Sequence, residues 1–251
     1  MGFRQKLISG ERLIGTMITL PSPEMVEVMV DVGFDWLFID CEHAAFDSAV
    51  AQSLLQAAGD RCPCVIRVPC SDDVWIKKML DIGAAGVIVP QINSVEQAKT
   101  AIDSCKYPPL GTRGVGLGRA HRYGAGFSEY VEKANNEVAV VLQAEHIDAV
   151  DAIDEITDLP GLDAILIGPY DLSASLGKIG QLNDPEVVSA IDRVYQCCQR
   201  KNISLGYFGV TTEAVRPYME AGYSFITVGV DVLFAGAAAT ETLCGLGGGK
   251  E

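Results

Sequence analysis

Eight short apolar runs recur along the chain, separated by longer amphipathic stretches, and that alternation admits very few folds. The runs are LIGTMITL (13–20), WLFID (36–40), CVIRVP (64–69), GVIVP (86–90), VAVVLQ (138–143), DAILIG (163–168), ISLGYF (203–208) and SFITVG (224–229). Each reads as a strand. Because Val, Ile and Leu fill the runs almost continuously, both faces of each strand must be buried, as in a parallel sheet covered by helices. The intervening stretches, such as PEMVEVMVDVG, DDVWIKKMLDIG, SVEQAKTAIDSC and DPEVVSAIDRVYQCCQRKN, open at capping residues or Pro, as helices do. Gly33, Gly83 and Gly222 stand where left-handed helix ends are expected. Eight such units in 251 residues predict an α/β fold, one (β/α)8 TIM barrel spanning 1–251. A doubly wound open sheet is the alternative, disfavoured by the strand count.

One segment breaks the period. Residues 106–137 form a long insertion after the fourth helix, and loops of that length are functional or mobile. Its GVGLG (114–118) resembles a dinucleotide fingerprint, but no strand precedes it, so a Gly-rich surface turn is the better reading. The tail GLGGGKE (245–251) is expected to fray. No stretch of 18 apolar residues and no signal-like N-terminus is present, which predicts a cytoplasmic protein without a membrane partner. Eight Cys in a chain this long read as free, mostly buried thiols. Neither Cys62 with Cys64 nor Cys197 with Cys198 has zinc-site spacing.

Charge narrows the partners. With 33 acidic against 19 basic residues the net charge is −14, which repels a nucleic-acid backbone. The same field repels small anions, so an anionic substrate needs a local Arg, a metal ion or a helix N-terminus.

In a barrel of this kind the chemistry comes from groups just past the C-terminal ends of the strands. Strand two ends in Asp40, Glu42 and His43, strand three carries Arg67, strand five ends in Gln143, Glu145 and His146, and strand six leads to Asp171. Glu145 and Asp171 are the donors a hard divalent cation requires, Mg²⁺ or Mn²⁺ first, with Co²⁺ or Zn²⁺ as alternatives. Both could instead cap the helices that follow; Glu145 fits that less well, since a carboxylate ending an apolar strand needs a partner. Arg67 within an apolar strand must meet an anion, either a substrate or a structural acid. His43, with charged neighbours at the rim, suits general acid/base work, although a lone imidazole can also be a satisfied core residue. His121 and His146 read as solvated.

These residues lie in segments that resemble the HpcH/HpaI aldolase family of metal-dependent pyruvate aldolases. The segments are GFDWLFIDCEHAAFD (33–47), VIRVPCSDDVWIKKMLDIGAAGVIVPQINSVEQA (65–98), YPPLGTRGVG (107–116), Gln143 to Glu145, and LDAILIGPYDLSASLG (162–177). The resemblance implies that Glu145 and Asp171 hold the metal. It makes His43 the base, supported by Asp81, and has Arg67 steady the pyruvate enolate. Gln143 and the backbone amides at Tyr170 and Asp171 then complete the pocket for the 2-oxo acid carboxylate. Cys41 stands where the family commonly has a small residue or Met, a change to the pocket wall, and QAEH replaces the more usual Q-I-E. The implied partners are a 2-oxo acid, an aldehyde and further copies of this chain. The apolar last helix, VDVLFAGAAATETL (230–243), would cross to a neighbouring subunit, in dimers that assemble into a hexamer.

Three other readings compete. A Schiff-base aldolase needs a Lys in or at the end of a strand, and none of the nine Lys lies in a run; Lys178, after strand six, is the nearest. An acyl-CoA lyase on the same barrel needs a basic surface for the nucleotide, and a non-catalytic ligand-binding barrel would lack a metal ligand or His43. The sequence does not disclose the aldehyde: succinic semialdehyde, tartronate semialdehyde and lactaldehyde-type acceptors all remain open.

Overall fold

A computed structural model describes residues 1–248, so the last residues of the tail expected to fray, 249–251, lie outside the described residues. Eight parallel strands close into a barrel in sequence order: β1 (Leu13–Ile18), β2 (Trp36–Asp40), β3 (Cys64–Arg67), β4 (Gly86–Val89), β5 (Ala139–Ala144), β6 (Ala164–Ile167), β7 (Ser204–Gly209) and β8 (Phe225–Val230). The last pairing, of β8 with β1, removes both sheet edges. Each strand lies on an apolar run, because only residues apolar on both faces can sit between a packed interior and a helical layer.

Helices ring the barrel. In chain order they are α1 (Phe3–Ile8), α2 (Pro23–Val32), α3 (Ser48–Ala58), α4 (Asp73–Asp81), α5 (Val95–Cys105), α6 (Phe127–Glu137), α7 (Ile147–Asp151), α8 (Ile153–Thr157), α9 (Pro169–Ser175), α10 (Pro185–Lys201), α11 (Thr212–Ala221) and α12 (Asp231–Gly245). Side chains of Ser22, Asp72, Ser94 and Asp184 cap α2, α4, α5 and α10, where the sequence places its capping signals. Gly33, Gly83 and Gly222 take the left-handed conformation, with φ of 98°, 98° and 102°. Six of the eight Cys are buried.

Alternation along the strands divides the core in two. Outward side chains such as Leu37, Ile39, Ile66 and Val87 pack under the helices. Inward ones such as Trp36, Phe38, Val65, Val141 and Leu166 fill the barrel. Its floor is aromatic: Trp36 stacks on Phe225 at 4.1 Å, with Phe3 of α1 closing over both.

Two expectations need correction. The insertion is not a free loop, since its last third is α6 and the rest is pinned to the rim where the strands begin. Arg113 is buried between the rings of Tyr107 and Tyr130, at 4.5 and 5.5 Å. His121 is buried rather than solvated; Nδ1 accepts from the Gly124 amide at 3.0 Å and Nε2–H donates to the Gly116 carbonyl at 2.8 Å, so the imidazole holds the turn over 116–124. His146 caps α7 through Nδ1.

In contrast α12 packs on almost nothing: from Val232 onward each of its residues is exposed, Val232, Leu233, Phe234 and Leu243 among them. No helix among the described residues is long and apolar enough to cross a membrane.

The floor sets a sharp test of packing. A Cβ at Gly15 would stand 2.5 Å from the Trp36 ring, which is fully buried and cannot retreat. Gly15→Ala should therefore lower unfolding stability by about 1–3 kcal/mol. Gly236→Ala, on α12 with open space around it, should be neutral or raise helix stability by as much as ~1 kcal/mol. Urea denaturation of the two variants checks the contrast.

Candidate active site

The inward phase of each strand, carried one step past the core, delivers the polar groups. On β2 the inward series Trp36, Phe38 ends in Asp40, and on β3 Val65 is followed by Arg67. The register of β2 with β3 sets Asp40 directly opposite Arg67. Their side chains meet in a bidentate pair, Nε and one terminal nitrogen of Arg67 each 2.9 Å from a carboxylate oxygen of Asp40. The other terminal nitrogen lies 3.2 Å from Glu42 Oε2, and the Phe38 ring lies 5.3 Å from the guanidinium carbon. Burial opposes the guanidinium charge, but the Asp40 bonds and the charges of Asp40, Glu42 and Glu145 outweigh it and raise its pKa.

Asp40 has a second task. Its Oδ1 also accepts from the backbone amides of Glu42 and His43, at 3.1 and 3.3 Å, so the acid that holds Arg67 also folds the turn presenting the imidazole. His43 Nε2 lies 3.7 Å from Glu42 Oε2, with its side chain two-thirds exposed. Burial raises the Glu42 carboxyl, and Asp40 and Asp171 add to that, against the opposing pull of Arg67 and His43.

Across the barrel, the inward series of β5 runs through Val141 to Gln143 and then to Glu145 just beyond the strand. Both side chains are buried, and the Gln143 amide nitrogen donates to Glu145 Oε2. Glu145 Oε1 accepts from the Gln91 amide at 2.7 Å. Gly168, the inward position above Leu166 on β6, makes room for them. A Cβ there would lie 2.8 Å from the Gln143 amide nitrogen and 2.9 Å from Glu145 Oε2. Burial pushes the Glu145 carboxyl up to about 7, opposed by the Gln91 amide and Arg67 and reinforced by the charges of Glu42 and Asp171. Asp171, in the first turn of α9, is exposed at the rim, as is Tyr170.

His43, Arg67, Gln143, Tyr170 and Asp171 thus line one cavity of about 430 Å³, with Asp40 in its wall. Glu145 sits immediately beside it, against Gln143. Asp81 is not among them. As the last residue of α4 it lies where the helix returns the chain to the start of β4, the rim opposite the cavity, and within this chain it does not support His43. A carboxylate at a helix C-terminus opposes the helix dipole, and here the charge of Arg113, 2.7 Å from Asp81 Oδ1, offsets it. Cys41 is corrected too: it points outward into the layer under the helices, not into the pocket wall, and burial pushes its thiol up to about 12. Lys178 pairs with Asp184 at 2.9 Å and does not enter the cavity.

The sequence sets Asp40 at a strand end but marks no role for it, nor any for Gly168 or the Gln91 backbone amide. The alternation that placed Arg67 would have paired Asp40 with it; nothing local marks the Gln91 amide. Among the described residues no group of three or more His, Cys, Asp or Glu converges to cage a metal by itself.

Known proteins resemble this chain over most of its length. The chain is 38% identical over 243 residues to a hydroxypyruvate/pyruvate aldolase of Deinococcus radiodurans, covering 95% of this chain and 87% of that protein. It is 35% identical over 240 residues to the 4-hydroxy-2-oxo-heptane-1,7-dioate aldolase of Escherichia coli, covering 94% and 91%. A crystal structure of a family protein from Burkholderia cenocepacia J2315 superposes with a TM-score of 0.93 at 35% identity, over 97% of this chain and 98% of that one. The family model for HpcH/HpaI aldolase/citrate lyase matches residues 14–237, and the chain, a carbon–carbon lyase, belongs to that family.

Proposed function

We propose that the protein is a divalent-metal-dependent aldolase that cleaves a 4-hydroxy-2-oxo acid into pyruvate and an aldehyde, reversibly. The observation that carries this reading is that Glu42 and Glu145 both act on Arg67, which Asp40 already neutralises, while Asp171 lines the same cavity. Such a set is short of positive charge, and the raised Glu145 carboxyl expresses the shortage. Glu145 and Asp171 suit a hard divalent ion, leaving other positions to water and substrate oxygens. Gln143 Oε1, buried without a hydrogen-bond partner, faces the same region as one more oxygen donor. When bound, the metal supplies electrophilic stabilisation of the charge that gathers on the 2-oxo oxygen as the C3–C4 bond breaks.

The chain's own groups do the rest. His43 takes the proton from the C4 hydroxyl; the C4 oxygen becomes the aldehyde carbonyl, and the electron pair of the C3–C4 bond passes to C3 as the pyruvate enolate. Glu42 beside His43 steadies the imidazolium. Arg67, fixed by its two bonds to Asp40, adds fixed positive charge where the enolate forms. The first-turn amides of α9, which Gly168 leaves without a side-chain cap, suit the substrate carboxylate. Among the described residues Arg67 is the only Lys or Arg side chain lining the cavity, and a single guanidinium disfavours a coenzyme A thioester as substrate.

We also propose that the protein is a homo-oligomer. α12 exposes apolar side chains along its length, more than a solvated helix carries, and a second copy of the chain is the occupant that covers it, through dimers that assemble into a hexamer.

Three outcomes are expected. Chelation should abolish pyruvate release and Mg²⁺ or Mn²⁺ restore it, while borohydride with pyruvate should leave the intact mass unchanged; a covalent adduct would return the Schiff-base reading.

His43→Ala should cut cleavage by ~10²–10⁴ with the pyruvate inhibition constant unchanged. Arg67→Lys, which keeps the charge but loses the bidentate pair of hydrogen bonds to Asp40, should slow cleavage by ~10²-fold and weaken pyruvate binding as well. Steady-state rates beside inhibition constants decide it, and collapse of pyruvate affinity with near-normal cleavage in His43→Ala makes His43 a binding residue.

Light scattering at micromolar concentration should give a mass above that of one chain, 26.8 kDa. A monomer ends the oligomer proposal.

A further inference from the structure

The cavity is divided by chemistry. Its acids, amide, guanidinium and imidazole arrive from β2, β3, β5 and the turn into α9, whereas the wall built by β1, β7, β8 and the first turn of α12 is Met17, Phe208, Val230, Val232 and Leu233. The hydroxyl on that wall, Thr19 Oγ1, is committed to Asp231 at 2.7 Å. Asp231 is fully buried at the start of α12, and its carboxylate also accepts from the amides of Thr19, Leu20 and Val232, at 2.8–3.0 Å. All these donors are neutral. The charge behind the apolar wall is therefore negative, and no cation lines the wall itself.

From this we propose that the apolar wall receives the aldehyde half of the substrate, and that the aldehyde carries an uncharged, apolar substituent rather than a carboxylate. The inference rests on the aldolase reading above and names its substrate class. The 2-oxo acid end of the substrate needs the polar side, where Arg67, Gln143 and the carboxylate pair lie, so the C4 substituent is directed to the other. A carboxylate placed there loses its hydration without gaining a donor and meets the field of Asp231 in a protein of net charge −14. An alkyl group gains about fourfold in transition-state binding for each methylene it buries against the wall. Succinic semialdehyde and tartronate semialdehyde are thereby disfavoured as partners.

Butanal and succinic semialdehyde make a matched pair, of equal chain length and differing in a terminal methyl against a carboxylate. Aldol addition to pyruvate, with Mg²⁺ or Mn²⁺ present, should show kcat/KM for butanal above that for succinic semialdehyde by at least ~10-fold. Leu233→Arg adds a cation to the wall; because Leu233 also belongs to the helix assigned to a second copy, the variant is compared at the wild-type mass by light scattering, and there it should move the ratio at least ~10-fold toward succinic semialdehyde. Exchange of the pyruvate methyl protons in D2O, measured without any aldehyde, tests the underlying reading separately. With no exchange the aldolase reading fails and this inference with it. If exchange proceeds but succinic semialdehyde equals or beats butanal, that reading stands and the apolar substrate class is wrong. An unchanged ratio in Leu233→Arg places the aldehyde elsewhere and overturns the assignment of the wall.

Discussion

A buried ion pair costs more in desolvation than it returns unless its geometry is good and its remaining lone pairs and protons are satisfied, and the pair of Asp40 with Arg67 meets that condition. Two charge-assisted bonds join the side chains, Glu42 faces the outer guanidinium nitrogen, and two backbone amides occupy the remaining capacity of Asp40. The pair exists because β2 and β3 align these residues in register at the last inward position before the rim. From it follow the aim of Arg67, the turn that carries Glu42 and His43, and the placement of an imidazole opposite Glu145. A shift of one residue in that register would turn Arg67 outward into the helical layer and dismantle the site while leaving a barrel.

The same pair explains why so acidic a protein can handle an anionic substrate only with help. Arg67 is the strongest cation at the cavity, yet Asp40 and Glu42 already match it, so it offers shape and directed hydrogen bonds more than surplus charge. Across from it Glu145 is held by one backbone amide and one side-chain amide, both neutral, with Asp171 and Glu42 close enough to raise it. Negative groups gathered this closely in a poorly hydrated place repel one another unless something positive joins them. On the proposed reading a divalent ion would relieve that repulsion and supply the attraction a 2-oxo acid needs, so that affinity for metal and affinity for substrate would arise from one electrostatic shortage.

How far the sequence could be read followed the range of the interactions involved. The eight strands were legible because burial on both faces leaves an apolar run, a local signal. The ends of those runs exposed Arg67, Gln143 and Glu145 for the same reason: a polar group interrupting such a run stands out. Within this chain Asp81 pairs with Arg113, from an insertion 32 residues later, and no spacing rule links a helix end to that loop. His121 is held by a backbone amide and a backbone carbonyl, which leave no trace in side-chain identity. Cys41 was within reach, since the alternation that turns Asp40 inward turns the next residue outward. Asp231 was not, because its donors lie at the far end of the chain, at Thr19 and Leu20.

The division of the cavity into a polar and an apolar side also separates what the fold constrains from what it leaves free. On the polar side nearly every group is locked by a neighbour, so replacing Asp40, Arg67 or Glu145 leaves a buried partner unsatisfied and costs stability as well as chemistry. Met17 and Phe208 continue the barrel core upward, and a polar residue at either would be felt in the packing beneath. Val232 and Leu233 differ: they stand at the mouth on a helix whose next turns touch little of the barrel, with Asp231 anchoring its first turn to the end of β1. Those two positions can change size or charge with small cost to the barrel itself, so on the proposed reading the side assigned to the aldehyde is the less constrained by the fold and the side assigned to pyruvate the more.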